Sequence, residues 1–274
     1  MKILIASDME GITGVTNWDQ VTPGHSEYAR FRKLMTGDVN AAVRGALDTG
    51  ADEVIVADGH WNGSNILIEE LDPRARLNSG SPSPFSMMQG IDKNVDGVFF
   101  IGYHARQGSP NAVCDHTWSS TCVANVFIND EIAGEYTLNA ALAGFYGVPV
   151  LMISGDQTAC AQAMKQIGAL ETAIVKNATG RYSADCLPPD ATGKMIHDAA
   201  QRAVQRIKEK DIPKPYVVKT PIKIIVELFT SDMADRAMSM PGVTRDGLKL
   251  SFQAEDMPKA YSAFRALVLM SYPR

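Results

Sequence analysis

The sequence predicts an α/β fold in which helices flank a mainly parallel sheet, followed by a smaller α+β unit at the C-terminal end. First, short apolar runs alternate along the chain with segments of helical periodicity, which is the pattern of βαβ units. Second, the strongest runs are apolar at nearly every position, as expected when helices cover both faces of a sheet. Third, the order of elements after residue 212 is less typical of such a sheet, which favours a separate unit.

The first third of the chain predicts three strands and one helix of the main sheet. An apolar stripe at helical spacing indicates a helix over residues 38–49, and Gly50 supplies its C-terminal stop. The apolar runs predict strands over 3–6, 53–57 and 98–102.

The middle of the chain continues this alternation. A helix over 135–147 is rich in Ala and Leu, and a second helix over 156–167 begins with Asp156 as a plausible N-cap. Strands are predicted over 121–129, 148–154 and 172–175.

The last part of the chain begins with an amphipathic helix over 190–209 and a Pro-rich linker over 212–215. Beyond it we expect strands over 222–228 and 248–252 and helices over 231–238 and 256–270. We therefore expect two domains, an α/β domain over 1–187 and a smaller α+β domain over 188–274.

Composition excludes several classes of function. The 274 residues are 45% hydrophobic and 21% charged, with a net charge of −5, which is typical of a globular protein and disfavours nucleic acid or an anionic membrane as a partner. No apolar stretch approaches the roughly 18 residues that cross a bilayer, and the N-terminus lacks the features of a signal peptide. We expect a cytoplasmic protein.

Side chains that suit a first-row metal follow three of the predicted strands. Asp8 and Glu10 follow the first strand, His60 the second and His104 the third. Because ligands bind at the carboxyl ends of parallel strands, these four side chains can meet in one pocket. Two imidazoles and two carboxylates suit Zn²⁺, and less specifically Mn²⁺ or Fe²⁺.

A fifth candidate is Glu135, at the start of the helix over 135–147, where a helix N-terminus favours a carboxylate. Five ligands exceed the four of an ordinary structural site, and they would serve two metals that share a bridging carboxylate. Each of these residues also has an ordinary interpretation as a hydrogen-bonding or solvated residue at a strand end.

Three histidines remain. His116 lies in a loop twelve positions after His104, where it would serve as a general acid or base beside the pocket or as a surface residue. His25 and His197 are assigned to surface roles.

Two families share motifs with this chain. The segment Leu4–Thr13 resembles the first motif of haloacid dehalogenase-type phosphatases, in which an apolar strand precedes D-x-D-G-T and Mg²⁺ is the cofactor. The second acid here is Glu10, Ile12 is inserted before the Thr, and a hard Mg²⁺ site has no use for two histidines. A Mg²⁺-dependent phosphatase is therefore the alternative function.

The stronger resemblance is to the DppA-type D-aminopeptidases, a family of dinuclear zinc peptidases. The motifs that carry it span nearly the whole chain in order: Ser7–Gly11, Asp58–His60, Phe100–Arg106, His116, Ile128–Asp130, Gly134–Glu135 with Leu138–Ala140, Gly155–Asp156 and Phe252–Ala254. The spacing between His104 and His116 is one residue longer than in the family pattern.

The resemblance implies two Zn²⁺ ions per subunit, with Asp8 as the bridge, Glu10 and His60 on one ion, and His104 and Glu135 on the other. It implies that His116 is the catalytic histidine. The activity would be removal of an N-terminal D-residue, D-Ala above all, from short peptides, in a ring-like homo-oligomer described for the family as a decamer. A zinc-stabilised ring that binds peptides without cleaving them is a further alternative, although structural zinc sites are usually rich in cysteine.

Overall fold

The structure is a computed structural model and describes residues 1–272. Its strands, in chain order, are β1 (Lys2–Ser7), β2 (Glu53–Asp58), β3 (Ala75–Asn78), β4 (Gly97–Tyr103), β5 (Val123–Ile128), β6 (Glu131–Ala133), β7 (Val150–Asp156), β8 (Glu171–Gly180), β9 (Ser183–Cys186), β10 (Ile222–Leu228), β11 (Thr244–Asp246) and β12 (Lys249–Ala254). Its α-helices are α1 (Tyr28–Asp48), α2 (Glu135–Phe145), α3 (Gln157–Ile167), α4 (Pro189–Glu209), α5 (Ser231–Ala237) and α6 (Met257–Ser271).

The main sheet has seven strands in the order β3-β2-β1-β4-β7-β8-β9, and all its pairs are parallel except β8 with β9. The chain moves outward from β1 to β2 and β3, and then returns to the other side of β1 with β4. The switch point between β1 and β4 is where an open α/β sheet forms its ligand crevice. The predicted α/β class with a mainly parallel sheet is confirmed.

Both faces of the main sheet are covered, which explains why its strands are apolar throughout. Ile3 and Ile5 of β1 pack in the core shared with α1 and α4, whereas Leu4 and Ala6 point to the opposite core. Alternate residues of one strand thus enter two different cores, as the geometry of a strand requires.

The second sheet has five antiparallel strands in the order β11-β12-β10-β5-β6. It combines the hairpin of β5 and β6, from the middle of the chain, with three strands from the tail. One continuous core joins the two sheets and contains Phe100 of β4, Val126 of β5 and Ile224 of β10. Helix α4 packs along α1. The division into domains at residue 188 stays a prediction.

The predicted helices and strands are present, with two kinds of difference. Helix α1 begins at Tyr28 rather than at residue 38, because the buried Phe31 and Met35 extend its apolar face by further turns. The short strands β3, β6, β9 and β11 were not predicted, since each has only three or four residues and no continuous apolar run. Asp156 is the N-cap of α3, as predicted, and accepts hydrogen bonds from the amides of Thr158 and Ala159.

Within residues 1–272, none of the helices combines the length and the apolar composition that a membrane crossing requires.

Candidate metal centre

The chain leaves β1 and runs across the carboxyl end of β4 in a segment that we call the β1 loop, residues 8–16. The amide of Gly11 donates to the carbonyl of Gly102 over 2.8 Å. A Cβ on Gly11 would lie 1.9 Å from the carbonyl oxygen of Tyr103, so only glycine permits this approach. The loop is therefore pressed onto the end of β4, beside the switch point.

The five ligands predicted from the sequence come together at this edge of the sheet. Two lie on the β1 loop, one follows β2, one follows β4 and one is the first residue of α2. None is more than 6% exposed. They are Asp8, Glu10, His60, His104 and Glu135.

Asp8 stands between the two imidazoles. Its Oδ1 lies 3.2 Å from Nδ1 of His60, and its Oδ2 lies 3.3 Å from Nε2 of His104. Glu10 Oε2 is 3.2 Å from the same His60 nitrogen, and Glu135 Oε1 is 3.0 Å from the same His104 nitrogen. The site thus has two lobes that share Asp8.

Backbone carbonyls hold both imidazoles from outside. His60 Nε2 lies 2.8 Å from the carbonyl of Val21, and His104 Nδ1 lies 3.0 Å from the carbonyl of Ala105. A carbonyl can only accept, so in each ring this outer nitrogen carries the hydrogen. The inner nitrogen of each ring points at the carboxylates, which is the arrangement that orients histidine ligands in metal sites.

Three atoms of this cluster are buried without a hydrogen-bond partner among the described residues: Asp8 Oδ2, Glu10 Oε2 and His104 Nε2. Leaving such atoms unpaired is unfavourable unless a ligand satisfies them. Ligand atoms of Asp8, Glu10 and His104 lie within 4.8 Å of one another, and so do those of His104, His116 and Glu135. Nitrogen and carboxylate donors at this spacing fit a zinc ion.

The charges in the cluster are strongly coupled. Burial works to raise the pKa of Asp8, but close contacts with His104 and His60 and their charge outweigh it and hold the pKa well below its usual range. Burial works to lower the pKa of both imidazoles. The charge of Glu10 and contacts with Asp8 nevertheless raise the pKa of His60 well above its usual value, and Glu135 with Asp8 does the same for His104.

His116 forms one wall of the site. Its ring is stacked on that of His104 with centroids 3.9 Å apart, and the indole of Trp18 meets it edge-on at 5.3 Å. Its Nδ1 lies 2.9 Å from the carbonyl of Cys114, and its Nε2 faces Glu135 Oε1 at 3.6 Å. Burial, and then the charge of His104, lower the pKa of His116 to about 4.

Other residues of the site were not predicted. The amide of Trp118 donates to Glu135 Oε1 over 2.7 Å and fixes that carboxylate. Trp18 Nε1 donates to the hydroxyl of Tyr182, at the turn between β8 and β9. Lys176 of β8 is fully buried beneath the β1 loop. The only sequence signal for Lys176 is one charged residue that continues an apolar strand.

The two remaining histidines lie away from this cluster, as expected. His25 is half exposed and pairs with Asp19, and His197 of α4 pairs with Asp48 of α1.

Comparisons with known proteins agree with one another. The model of peptidase family M55, described as D-aminopeptidase, matches residues 1–266. A D-aminopeptidase of Bacillus subtilis (strain 168) is 37% identical over 265 residues, which are 96% of this chain and 95% of that protein. A solved structure, described as Zn-dependent D-aminopeptidase DppA from Bacillus subtilis, a self-compartmentalizing protease, is similar with a TM-score of 0.95 at 36% identity. The similarity covers 99% of this chain and 98% of that one. The chain therefore belongs to the M55 family of D-aminopeptidases, which are hydrolases that act on peptide bonds.

Proposed function

We propose that this D-aminopeptidase depends on two zinc ions held by Asp8, Glu10, His60, His104 and Glu135, and that it removes N-terminal D-Ala from short peptides. The observation that carries the proposal is the set of three buried ligand atoms that have no hydrogen-bond partner within residues 1–272, together with two imidazoles whose outer nitrogens are fixed by carbonyls. The similar DppA structure is described as Zn-dependent, which supports the choice of metal.

The two lobes of the cluster support two ions rather than one. Glu10 and His60 would hold the first ion, and His104 and Glu135 the second. Asp8 faces both imidazoles, with one carboxylate oxygen toward each, and so suits the bridging position. When bound, such ions polarise a carbonyl and lower the pKa of water.

The protein's own groups supply orientation and proton transfer. Nδ1 of His116 donates to Cys114, so its inner Nε2 has a free lone pair beside Glu135 and Glu10. We assign His116 the role of general base toward the attacking water and general acid toward the departing amine. Its low pKa keeps the ring neutral at neutral pH, so this lone pair is free. The indole of Trp18 packs edge-on against this ring.

The assembly and location of the enzyme belong to the same proposal. The DppA structure is described as a self-compartmentalizing protease. We propose a ring-like homo-oligomer, a homodecamer, that admits small peptides and acts in the cytoplasm.

The test is release of free amine from D-Ala-D-Ala and from L-Ala-L-Ala, with zinc supplied or chelated. Zinc-dependent cleavage of the D-dipeptide alone, with two zinc ions bound per chain by elemental analysis, is the expected result. Cleavage of the L-dipeptide alone would overturn the substrate assignment. Mg²⁺-dependent cleavage of p-nitrophenyl phosphate alone would favour the phosphatase. Tight zinc binding with no hydrolysis of any of the three would favour a ring that only binds peptides.

A further inference from the structure

Lys176 makes an unusual set of contacts for a lysine. Its side chain is fully buried, and its Nζ lies 2.7 Å from the carbonyl oxygen of Glu10, 2.9 Å from that of Ile12 and 2.8 Å from that of Val15. All three carbonyls belong to the β1 loop. The ammonium group of Lys176 therefore binds one loop at three points along its length.

The number of contacts matches the chemistry of the group. An ammonium has three N–H donors and no acceptor, and here each donor has one carbonyl. Since an unpaired buried charge is strongly unfavourable, this geometry fixes the ammonium group of Lys176 and the backbone of the β1 loop relative to each other. Without Lys176, the same three carbonyls would lose their charged donor in a place that water does not reach.

A second set of contacts holds the middle of the β1 loop. Thr13 donates its amide to Asp38 of α1 over 2.9 Å, and its hydroxyl contacts Asp38 and Thr192 of α4. These bonds anchor the middle of the loop to the helices. Lys176 alone of these groups contacts the backbone of Glu10, whose Oε2 is buried with no hydrogen-bond partner in the part of the chain that the structure describes.

We propose that Lys176 is a positioning residue for the metal centre, which fixes the backbone at Glu10 so that its carboxylate is presented to the ion shared with His60. It acts through Glu10 and contacts neither substrate nor metal. This inference rests on the proposed two-zinc function. It predicts a different effect on the two ions. Binding of the ion held by Glu10 and His60 depends on Lys176, and binding of the ion held by His104 and Glu135 does not.

The experiment measures zinc affinity by competition with a chromophoric chelator in the full-length protein and in Lys176→Met, which has a similar length and no charge. We expect one zinc ion to bind about 10–100-fold more weakly, as is usual when a group that orients a ligand is lost, and the other to bind as before. At saturating zinc, KM for D-Ala-D-Ala should stay unchanged.

Thr13→Val is the matched control, because it loosens the same loop from the Asp38 side and leaves the contact at Glu10 intact. It should lower the melting temperature of the metal-free protein and keep both zinc affinities. If Lys176→Met is insoluble, Lys176→Gln, which is shorter and retains two N–H donors, is measured in the same way.

Two zinc ions bound with unchanged affinity by the Lys176 variants would overturn the inference. So would an equal loss of affinity in Thr13→Val, since the effect would then reflect loop stability alone. Failure of the wild-type protein to bind two zinc ions would instead overturn the proposed function, which keeps the two results distinct.

Discussion

The three imidazoles of the site share one arrangement, with one nitrogen bound to a backbone carbonyl and the other facing the carboxylates. His60 and His104 lie within 3.3 Å of carboxylate oxygens, whereas the nearest carboxylate oxygen to His116 Nε2 is at 3.6 Å. This difference supports the proposal that His60 and His104 are metal ligands and that His116 is an acid–base group.

We therefore expect His104→Ala and His60→Ala to lose zinc and peptidase activity together. His116→Ala should keep both zinc ions and lose about 10²–10⁴-fold in kcat, which is the usual contribution of a general acid–base group. Elemental analysis and turnover of D-Ala-D-Ala test this in parallel.

His25→Ala is the control for these variants, because the His25 side chain is half exposed and pairs with Asp19, away from the metal centre. It should match the wild-type protein in zinc content and turnover. If His116→Ala loses zinc, His116 is itself a zinc ligand, together with His104 and Glu135, which lie close enough to share an ion with it.

At the scale of residues, the sequence predicted those side chains whose position follows from strand ends. His60 and His104 follow apolar strands directly, so parallel pairing brings them to one edge. Lys176 could not be predicted, because its partners lie more than 160 residues earlier in the chain and only the folded loop brings their carbonyls together.

At the scale of elements, the β1 loop depends on close contact with the end of β4. A Cβ at Gly11 would collide with the backbone of Tyr103, and a backbone carbonyl cannot move aside as a flexible side chain can. Gly11→Ala should therefore displace the loop, lower the free energy of unfolding by about 1–3 kcal/mol and weaken zinc binding.

Urea unfolding of the metal-free protein measures the change. Gly37→Ala is the control, since Gly37 lies on the exposed side of α1 with nothing near its Cβ position. There alanine should stabilise the helix by about 1 kcal/mol. Unchanged stability of Gly11→Ala would show that the loop is not held as tightly as the contact with Tyr103 implies.

The elements that the sequence predicted are those with a continuous apolar signal. The buried strands β1, β4 and β7 are apolar at nearly every position, and α2 is rich in Ala and Leu. The polar strands β9 and β11 carry no such signal, and their pairing is decided by the neighbouring strand. The sequence likewise could not show that β5 belongs to the second sheet, since its partner β10 lies about 100 residues later.

At the scale of the whole molecule, the site lies where the two sheets meet. Asp8, Glu10, His60 and His104 follow strands of the main sheet. Glu135 follows the hairpin of the second sheet, at the start of α2. A metal held by both sets of ligands would link the two sheets, in addition to the apolar core that they share.

Removal of zinc should therefore destabilise the protein without unfolding it, because both apolar cores extend well beyond the residues around the site. By mass action, a bound ion at 1,000 times its Kd contributes about 4 kcal/mol to the free energy of unfolding. We expect a lower melting temperature in chelator, and faster amide exchange both in the β1 loop and over residues 116–137. The second segment responds because Trp118 and Glu135 are joined by a hydrogen bond.

Glu135→Gln distinguishes a link between the sheets from a general stabilisation. In this variant the remaining four ligands still lie together after strands of the main sheet, so zinc should continue to protect the β1 loop. Protection over 116–137 should be lost, since the only ligand next to the second sheet has become a neutral amide. Equal protection of both segments in Glu135→Gln would contradict the link, because stabilisation would then spread through the shared core rather than through the metal centre.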